Sequence, residues 1–400
     1  MNASLAITPA VDERFARFDQ INWWNQRRLS QARVLVIGAG ALGNEVVKNL
    51  ALLGVGRLAI VDRDCVERSN LSRSVLFREA DAGRPKAECA ARAAREIYPG
   101  LAVEVLVGNV LADVGLGWFR WADVVVGALD NREARLFVNG VCARLGRVWI
   151  DGGIDVFQGV VRGFSPPKTA CYECTMGEAD WKLVNQRRSC GLLAARAASL
   201  GGTPTTPTVA SVIGALQAQE VVKLLHGMEA LLGEGYVFDG AHYQSYRVNY
   251  PVSPDCPWHE GASAVEQADD LSSDSPWNDV WLRGASLLGG LDAIDFSREI
   301  VAALRCRDCG RRREVWAAAE NVKTEDLRCR ECGGECWPDF IHSLDETLPR
   351  DRTPREAGLP PWDILWARRG ERIIGIELAG DAREPTPATE RNERHVAQVN

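Results

Sequence analysis

Two groups of residues in this 400-residue chain have the types and spacing that chemistry requires: a glycine-rich turn with charged side chains after it, and closely spaced pairs of cysteine or histidine. The turn contains Gly38, Gly40 and Gly43, between an apolar run and a helical pattern in VLVIGAGALGNEVVKNL. A strand, a tight turn and a helix in this order present free N–H groups and a positive dipole end to a phosphate. Gly38 would allow the turn, Gly40 the approach of a ligand, and Gly43 the packing of helix on strand. The turn, with Ala41 and Leu42, is therefore predicted to bind a nucleotide.

Charged side chains after the turn indicate which nucleotide chemistry to expect, because dehydrogenases, flavoenzymes and methyltransferases share the glycine pattern. Asp62 ends the next predicted strand, where it can accept a hydrogen bond from a ribose hydroxyl, and Asp64 is a second candidate contact. Arg73 and Lys86 follow closely. The planar guanidinium of arginine and the compact ammonium of lysine both suit the phosphate oxygens of a triphosphate. Asp130 follows the fourth predicted strand, where a carboxylate can hold Mg²⁺, although it could also cap the next helix.

Four segments carry these residues in a familiar order and spacing: GAGALGNE, IVDRDCVERSNLSR, GRPKAE and ALDNREAR. They resemble the superfamily of ubiquitin-activating enzymes and ThiF, MoeB and HesA adenylyltransferases, over roughly residues 11–260. The resemblance implies ATP, Mg²⁺ and zinc as cofactors. It assigns the ribose to Asp62, the phosphates to Asn70, Arg73 and Lys86, and Mg²⁺ to Asp130, with Asn131 beside it. It also implies an N-terminal arginine that reaches the ATP site of a partner subunit in a homodimer, with Arg17 the better match and Arg14 the second.

Paired ligands predict two zinc sites. Each pair has two intervening residues, which lets a tight turn aim both ligands at one ion. The first site consists of Cys171, Cys174, Cys256 and His259, with 81 residues between its pairs. The second consists of Cys306, Cys309, Cys329 and Cys332, with the 19-residue separation of a zinc ribbon. Cys336 is an extra thiol, and Cys332 is the preferred fourth ligand.

Cys190, in NQRRSCGLL, is the candidate nucleophile for an activated carboxyl group. Arg187 and Arg188 precede it and would lower the pKa of its thiol, which favours the reactive thiolate. The resemblance also places a reactive cysteine between the first CxxC pair and the long helix. By contrast, Cys89 and Cys142 lie in helical patterns and Cys65 follows the Asp62 strand, so these three are predicted to be buried structural cysteines.

The elements that must position these residues alternate between strand and helix from Ala32 to about Ile150, which predicts a doubly wound α/β sheet of Rossmann type. We predict a helical lead-in over 1–31, an adenylation domain over 32–260, an acidic linker over 261–279, a zinc-ribbon α+β module over 280–381 and a disordered tail over 382–400. The end of the module loosely resembles a β-grasp domain.

Composition excludes several classes of protein. A net charge of −7 and a pI near 5.5 argue against a nucleic-acid binder. We expect no apolar run to reach the roughly 18 residues needed to span a bilayer, and the N-terminus lacks the pattern of a signal peptide. Twelve cysteines, many of them in metal-ligand spacing, favour a cytoplasmic protein with reduced thiols.

The residues and the resemblance together predict an activating enzyme for a ubiquitin-like protein. It would adenylate the C-terminal carboxylate of that protein, form a thioester on Cys190 and pass the acyl group to a conjugating enzyme. One alternative is a sulfur-carrier adenylyltransferase of MoeB or ThiF type. Another is a non-catalytic zinc scaffold or redox protein that retains a nucleotide fold.

Overall fold

A computed structural model describes residues 13–189, 204–346 and 352–380, which form two compact units. The described part of the first unit comprises residues 13–111, 118–189 and 204–262. The second comprises residues 263–346 and 352–380, together with the short segment 112–117 from the middle of the N-terminal half.

An eight-stranded sheet forms the centre of the first unit, in the order β3-β2-β1-β4-β5-β6-β7-β8. Its strands are β1 (Arg33–Ile37), β2 (Arg57–Asp62), β3 (Ala102–Val107), β4 (Val124–Gly127), β5 (Trp149–Asp155), β6 (Gln158–Phe164), β7 (Glu234–Asp239) and β8 (Gln244–Asn249). The first five strands in this order pair in parallel, and β6, β7 and β8 extend the sheet with antiparallel pairing. The predicted doubly wound sheet is confirmed.

The helices of this part of the chain are α1 (Gln26–Gln31), α2 (Ala41–Leu52), α3 (Lys86–Ile97), α4 (Gly117–Trp121), α5 (Arg132–Arg144), α6 (Glu178–Ser189) and α7 (Pro207–His226). Helices α2, α3 and α7 pack on the sheet. Strand β1 is a nearly continuous apolar run because helices bury both of its faces, and Val34, Leu35 and Val36 are fully buried. The strand order reverses at β1, with β2 on one side and β4 on the other. The loops after these strands therefore meet at the switch point where α/β sheets bind ligands.

Helix α7 is a core element of the first unit. It packs against α2 and β5, and Ile213 and Val221 are fully buried. By length and composition alone α7 could cross a membrane, so the expectation that no segment reaches this length was wrong. Its packing in the core accounts for its apolar character. The helix is capped by Thr206, whose Oγ1 accepts a hydrogen bond from the Val209 amide at 3.4 Å.

The second unit has its own sheet and core. Its elements are β9 (Val265–Ser272), α8 (Trp277–Leu288), β10 (Ala293–Cys306), β11 (Arg312–Ala318), β12 (Cys336–Leu344), β13 (Ile364–Arg369) and β14 (Arg372–Ala379). The strand order is β11-β10-β13-β14-β9, and β12 also pairs with β10. Trp277, Ile294 and Ile376 are among the buried side chains between α8 and the sheet.

Two predictions for this unit need correction. The predicted linker over 261–279 contains strand β9, which pairs in parallel with β14, and the start of α8. Acidic residues of β9 face solvent at the sheet edge, where charge is common, while Ala268 and Leu271 point into the core, so its composition resembles that of a linker. The β-grasp comparison is also unsupported: β9 alone precedes α8 in this sheet, where a β-grasp domain has a hairpin. The predicted tail over 382–400 lies outside the described residues.

Candidate functional site

The glycine turn lies between β1 and α2, and its three glycines have different surroundings. Gly38 has a φ of +99°, and a Cβ there would lie 2.3 Å from the Ala128 carbonyl oxygen. A Cβ on Gly43 would lie 1.9 Å from the Gly38 carbonyl oxygen. A Cβ on Gly40 would meet nothing within 4 Å. Gly38 and Gly43 are thus required by close packing, whereas Gly40 borders open space at the uncapped start of α2, where first-turn N–H groups have no acceptor within the helix.

Asp62, at the end of β2, fixes the shape of this turn. Its Oδ2 accepts a hydrogen bond from the Ala39 amide at 2.7 Å, and its Oδ1 accepts one from the Asp64 amide at 2.8 Å. Burial raises the pKa of the Asp62 carboxyl group, and these two amides and Lys86 act in the opposite direction. Each carboxylate oxygen keeps a further lone pair, so Asp62 can still accept from a ribose hydroxyl.

Lys86 begins α3 and pairs with Asp64. Its Nζ lies 2.9 Å from Asp64 Oδ2, and its side chain is 13% exposed, against 51% for Asp64. The backbone N–H of Lys86 also donates to the Asp64 carbonyl oxygen at 2.8 Å. An ion pair with so exposed a carboxylate is weak, so the ammonium can exchange it for a phosphate. Asp64 therefore serves as a loop contact and holds Lys86 near Asp62.

Asn70 and Arg73 lie in and just after a one-turn helix (Arg68–Ser72) that follows β2. Asn70 is buried, and its Oδ1 accepts a hydrogen bond from the Glu67 amide at 2.9 Å, which leaves the Nδ2 group as its donor. The Arg73 guanidinium donates through Nη1 to the Ser69 carbonyl oxygen at 2.7 Å. Among the described residues no carboxylate pairs with Arg73, so its remaining donors can bind an anion.

Asp130 and Asn131 occupy the loop after β4. Asn131 caps α5, because its Oδ1 accepts a hydrogen bond from the Ala134 amide at 2.8 Å. The alternative role of Asp130 as a helix cap is therefore wrong. Asp130 is exposed, and it accepts a hydrogen bond from Asn131 Nδ2 at 2.9 Å. Its carboxylate remains accessible to a cation.

The first zinc site has the shape expected for a metal. The one-turn helices at Glu173–Thr175 and Pro257–His259 bring its two ligand pairs together. Cys171 Sγ lies 3.8 Å from Cys174 Sγ and 3.5 Å from Cys256 Sγ, and Cys174 Sγ lies 3.1 Å from His259 Nε2. Zinc–sulfur bonds of about 2.3 Å place two tetrahedral thiolates about 3.8 Å apart. The four ligands therefore fit one zinc ion.

The ligands of the second predicted zinc site come together in the second unit. Its four thiols lie within 4.8 Å of one another, with Cys306 and Cys332 at 3.5 Å and Cys309 and Cys329 at 3.7 Å. Hydrogen bonds from the Cys332 and Glu331 amides lower the pKa of Cys329 to about 6, which favours the thiolate that zinc requires. Cys336 is outside this group, as predicted.

Comparison with known proteins identifies the family. Residues 12–258 match the family model described as "ThiF family", which is more than half of the chain. This chain belongs to the ThiF family. It is 35% identical over 277 residues to the "SAMP-activating enzyme E1" of Haloferax volcanii, an alignment that covers 68% of this chain and 97% of the relative. It is 31% identical to the "Sulfur carrier protein ThiS adenylyltransferase" of Escherichia coli over 62% of this chain and 93% of the relative.

Solved structures agree with this assignment. The structure of E. coli MccB with ATP has a TM-score of 0.51 and 26% identity, and it covers 62% of this chain and 75% of MccB. The ThiF-family match ends at residue 258, close to the end of the first unit at residue 262.

Four polar side chains near the candidate nucleotide site were not predicted. Fully buried Asn44 donates to the Ala39 carbonyl oxygen at 2.7 Å and accepts from the Leu76 amide at 2.8 Å. Asp151, also fully buried, binds Arg135 at 2.9 Å, and Arg135 donates to the Leu129 carbonyl oxygen at 2.6 Å, next to Asp130. Gln217 of α7 donates to the Gly127 carbonyl oxygen at 2.8 Å. A polar residue inside an apolar helical pattern was the available signal for Asn44 and Gln217.

Arg17 and Cys190 are the predicted site residues that come from outside the loops of the sheet. Arg17 is exposed and precedes a one-turn helix (Phe18–Gln20), whereas Arg14 lies over the Tyr98 ring and donates to the Ile97 carbonyl oxygen. Arg17 is therefore the arginine whose side chain is available to reach elsewhere. Cys190 lies outside the described residues. Of the cysteines predicted to be buried, Cys89 and Cys142 are buried, but Cys65 is exposed in the loop after β2, so that prediction was wrong for Cys65.

Proposed function

We propose that this protein is an ATP-dependent adenylyltransferase that activates the C-terminal carboxylate of a small ubiquitin-like or sulfur-carrier protein. The observation that carries this proposal is the meeting of three loops at the switch point of the sheet. They bring together the open start of α2 at Gly40, the Lys86 ammonium beside Asp62, and the accessible carboxylate of Asp130. A dinucleotide cofactor for hydride transfer, which binds through its diphosphate, would need neither the Lys86 ammonium nor a metal ligand at Asp130.

The reaction joins a carboxylate to AMP. A carboxylate oxygen attacks the α-phosphorus of ATP, the bond to the bridging oxygen of the β-phosphate breaks, and pyrophosphate leaves with that oxygen. The chain's contribution is positioning and neutralisation of phosphate charge. The α2 amides, Asn70, Arg73 and Lys86 would bind phosphate oxygens, Asp62 the ribose, and Asp130 Mg²⁺.

Relatives support the choice of acyl substrate. The names of the two relatives, a SAMP-activating E1 and a ThiS adenylyltransferase, both denote enzymes that activate another protein. Solved structures of E. coli MccB include complexes with ATP and with MccA. A site with this geometry in a ThiF-family chain favours adenylation of a protein carboxylate over a scaffold role.

ATP–pyrophosphate exchange tests the proposal. The protein is mixed with ATP, Mg²⁺, labelled pyrophosphate and a panel of small β-grasp proteins, each also supplied with an amidated C-terminus. Exchange should require a free C-terminal carboxylate and should fall strongly in Asp130→Ala. Exchange that is equally fast with the amidated proteins would contradict the proposal, and an unchanged rate in Asp130→Ala would remove the metal assignment.

A second step on Cys190 is the finer part of the proposal. The Cys190 thiolate would attack the acyl carbon, a thioester would form and AMP would leave, ready for transfer to a conjugating enzyme. Non-reducing gels should show a thiol-sensitive adduct that Cys190→Ala lacks, and an adduct that persists in this variant would exclude Cys190. Exchange without any adduct would favour the sulfur-carrier alternative, whose product is the acyl-adenylate.

Arg17 connects the proposal to a homodimer. If its side chain completes the ATP site of a second subunit, Arg17→Ala should raise KM for ATP, and mixing it with Lys86→Ala should restore part of the activity. In a mixed dimer, one of the two ATP sites would contain an unchanged Lys86 from one subunit and an unchanged Arg17 from the other. Absence of restoration in dimers shown to be mixed would place Arg17 in its own subunit's site or in none.

A further inference from the structure

Asn139, in the middle of α5, is a fully buried side chain with one unexplained donor. Its Oδ1 accepts a hydrogen bond from the Tyr172 backbone N–H at 2.8 Å. Its Nδ2 makes no hydrogen bond of normal geometry within the part of the chain that the structure describes. An unpaired buried donor costs about 1–3 kcal/mol, so a native structure that keeps one calls for an explanation.

The neighbour of this amide is Cys171, the ligand that precedes Tyr172. The Oδ1 of the same amide lies 2.8 Å from the Tyr172 backbone nitrogen, which is bonded to Cys171, so the unpaired Nδ2 lies beside the residue that carries the ligand thiol. A metal-bound cysteine is a thiolate, which is a better acceptor than a thiol.

We propose that Asn139 is an outer-sphere residue of the first metal site, which donates through Nδ2 to the Cys171 thiolate while its Oδ1 holds the Tyr172 amide. One side chain thus fixes both the orientation of a ligand and the backbone that carries it. This assignment concerns the metal alone and does not depend on the proposed function.

The other ligand pair also rests on α5, next to Asn139. Trp258 lies between Cys256 and His259, and a Cβ on Gly140 would lie 2.9 Å from its ring. The Trp258 indole donates to Glu173, between Cys171 and Cys174. Both halves of the metal site therefore contact one turn of α5. Helix α5 begins directly after Asp130 and Asn131, so a metal bound at this site would stabilise the helix that follows the predicted Mg²⁺ ligand.

Competition with a chromogenic zinc chelator tests the proposal on the full-length zinc-loaded protein. Asn139→Asp keeps an oxygen acceptor for the Tyr172 amide but replaces the donor with a carboxylate, and Asn139→Ala removes both groups. Outer-sphere substitutions typically weaken metal binding about 10- to 100-fold, and we expect that loss at the first site in both variants. The ribbon site, which lies in the second unit, should keep wild-type affinity in each variant and is the internal reference for the assay. An unchanged melting temperature and circular-dichroism spectrum of each zinc-loaded variant would show that the first unit is folded.

Asn49→Ala provides a matched control, because Asn49 on α2 also has a buried unpaired Nδ2 but lies on a helix without metal ligands. It should bind zinc as the wild type does. Wild-type affinity in Asn139→Asp together with weak binding in Asn139→Ala would overturn the proposal, because the Tyr172 contact alone would then matter. Equal affinity in all variants would overturn it as well.

Cobalt substitution adds a spectroscopic measurement that would not change if Asn139 had only a structural role. Loss of an N–H···S hydrogen bond leaves more electron density on the sulfur and lowers the energy of the sulfur-to-cobalt charge-transfer band. The difference spectrum of Asn139→Ala against wild type should show this shift, and that of Asn49→Ala should be flat. A flat spectrum for a cobalt-saturated Asn139→Ala would contradict the N–H···S contact.

Discussion

Lys86 is the residue on which the proposed chemistry depends most directly. Its ammonium is held near Asp62 by Asp64, an exposed partner that it can exchange for a phosphate. Removal of one preorganised charged donor should lower kcat by roughly 100- to 1,000-fold. Lys86→Met should therefore lose most exchange activity with an unchanged melting temperature, since the carboxylate that Lys86 pairs with is exposed and the methionine keeps the apolar part of the side chain.

Lys48→Met is the control for this prediction. Lys48 also pairs with a carboxylate, Glu45, but lies on the second turn of α2 rather than in a loop at the switch point. Steady-state kinetics of the two variants under saturating ATP should separate them clearly. Equal activity in both would mean that Lys86 is a surface charge.

Single residues at the site were predictable where a motif fixes their chemistry, and not where a tertiary contact does. Gly38 and Gly43 belong to a local strand–turn–helix, so their roles follow from the sequence. Asn44 depends on Leu76, and Arg135 depends on Asp151, so their roles follow only from folding. Asp130 was ambiguous because Asn131 beside it is an equally good cap.

Strands and helices of the first unit were predictable because parallel strands buried on both faces are apolar runs that contrast with their helices. Strand β1 coincides with the apolar run before Gly38, and β2 ends at Asp62 as predicted. Strand β9 was missed because it is an edge strand with acidic residues on its exposed face. Its pairing with β14 depends on a strand more than 100 residues later, which no local pattern encodes.

The start of α2 offers a test at the level of elements, because two of its glycines have opposite surroundings. A methyl group on Gly43 would collide with the Gly38 carbonyl oxygen, and such overpacking typically costs about 1–3 kcal/mol. A methyl group on Gly40 meets nothing within 4 Å, so Gly40→Ala should cost less than about 1 kcal/mol as a changed helix cap. Urea unfolding should therefore rank Gly43→Ala as the less stable variant.

The ATP affinity of Gly40→Ala provides a second test at the start of α2. The Gly40 methyl group would occupy the space through which a phosphate approaches the α2 amides. Gly40→Ala should bind ATP at least about tenfold more weakly, equivalent to about 1.4 kcal/mol, despite its near-normal stability. A stable Gly40→Ala variant with wild-type affinity, measured by isothermal titration, would mean that the phosphates do not lie over this turn.

At the scale of the whole molecule, the second unit incorporates a segment from between β3 and α4. Arg298 donates to the carbonyl oxygens of Ala112 at 2.8 Å and Val114 at 3.1 Å, and pairs with Asp363 at 3.0 Å. Asp363 also accepts from the Leu116 amide at 3.1 Å. Both charged side chains are almost completely buried. This ion pair therefore fixes residues 112–117 as part of the second unit, although the sequence places them within the nucleotide-binding fold.

Replacing Arg298 alone should lower the stability of the second unit much more than replacing Arg298 and Asp363 together. Burial raises the pKa of Asp363 although Arg298 and backbone amides act against it, so the carboxylate is costly to keep charged without its partner. Arg298→Met should destabilise the second unit by about 3–5 kcal/mol, because it leaves an uncompensated buried charge. The double variant Arg298→Met/Asp363→Leu should recover much of this loss, since no buried charge then remains. Chemical unfolding of the full-length protein measures both, and a double variant no more stable than Arg298→Met would show that the hydrogen bonds to 112–117, rather than the desolvated charge, dominate.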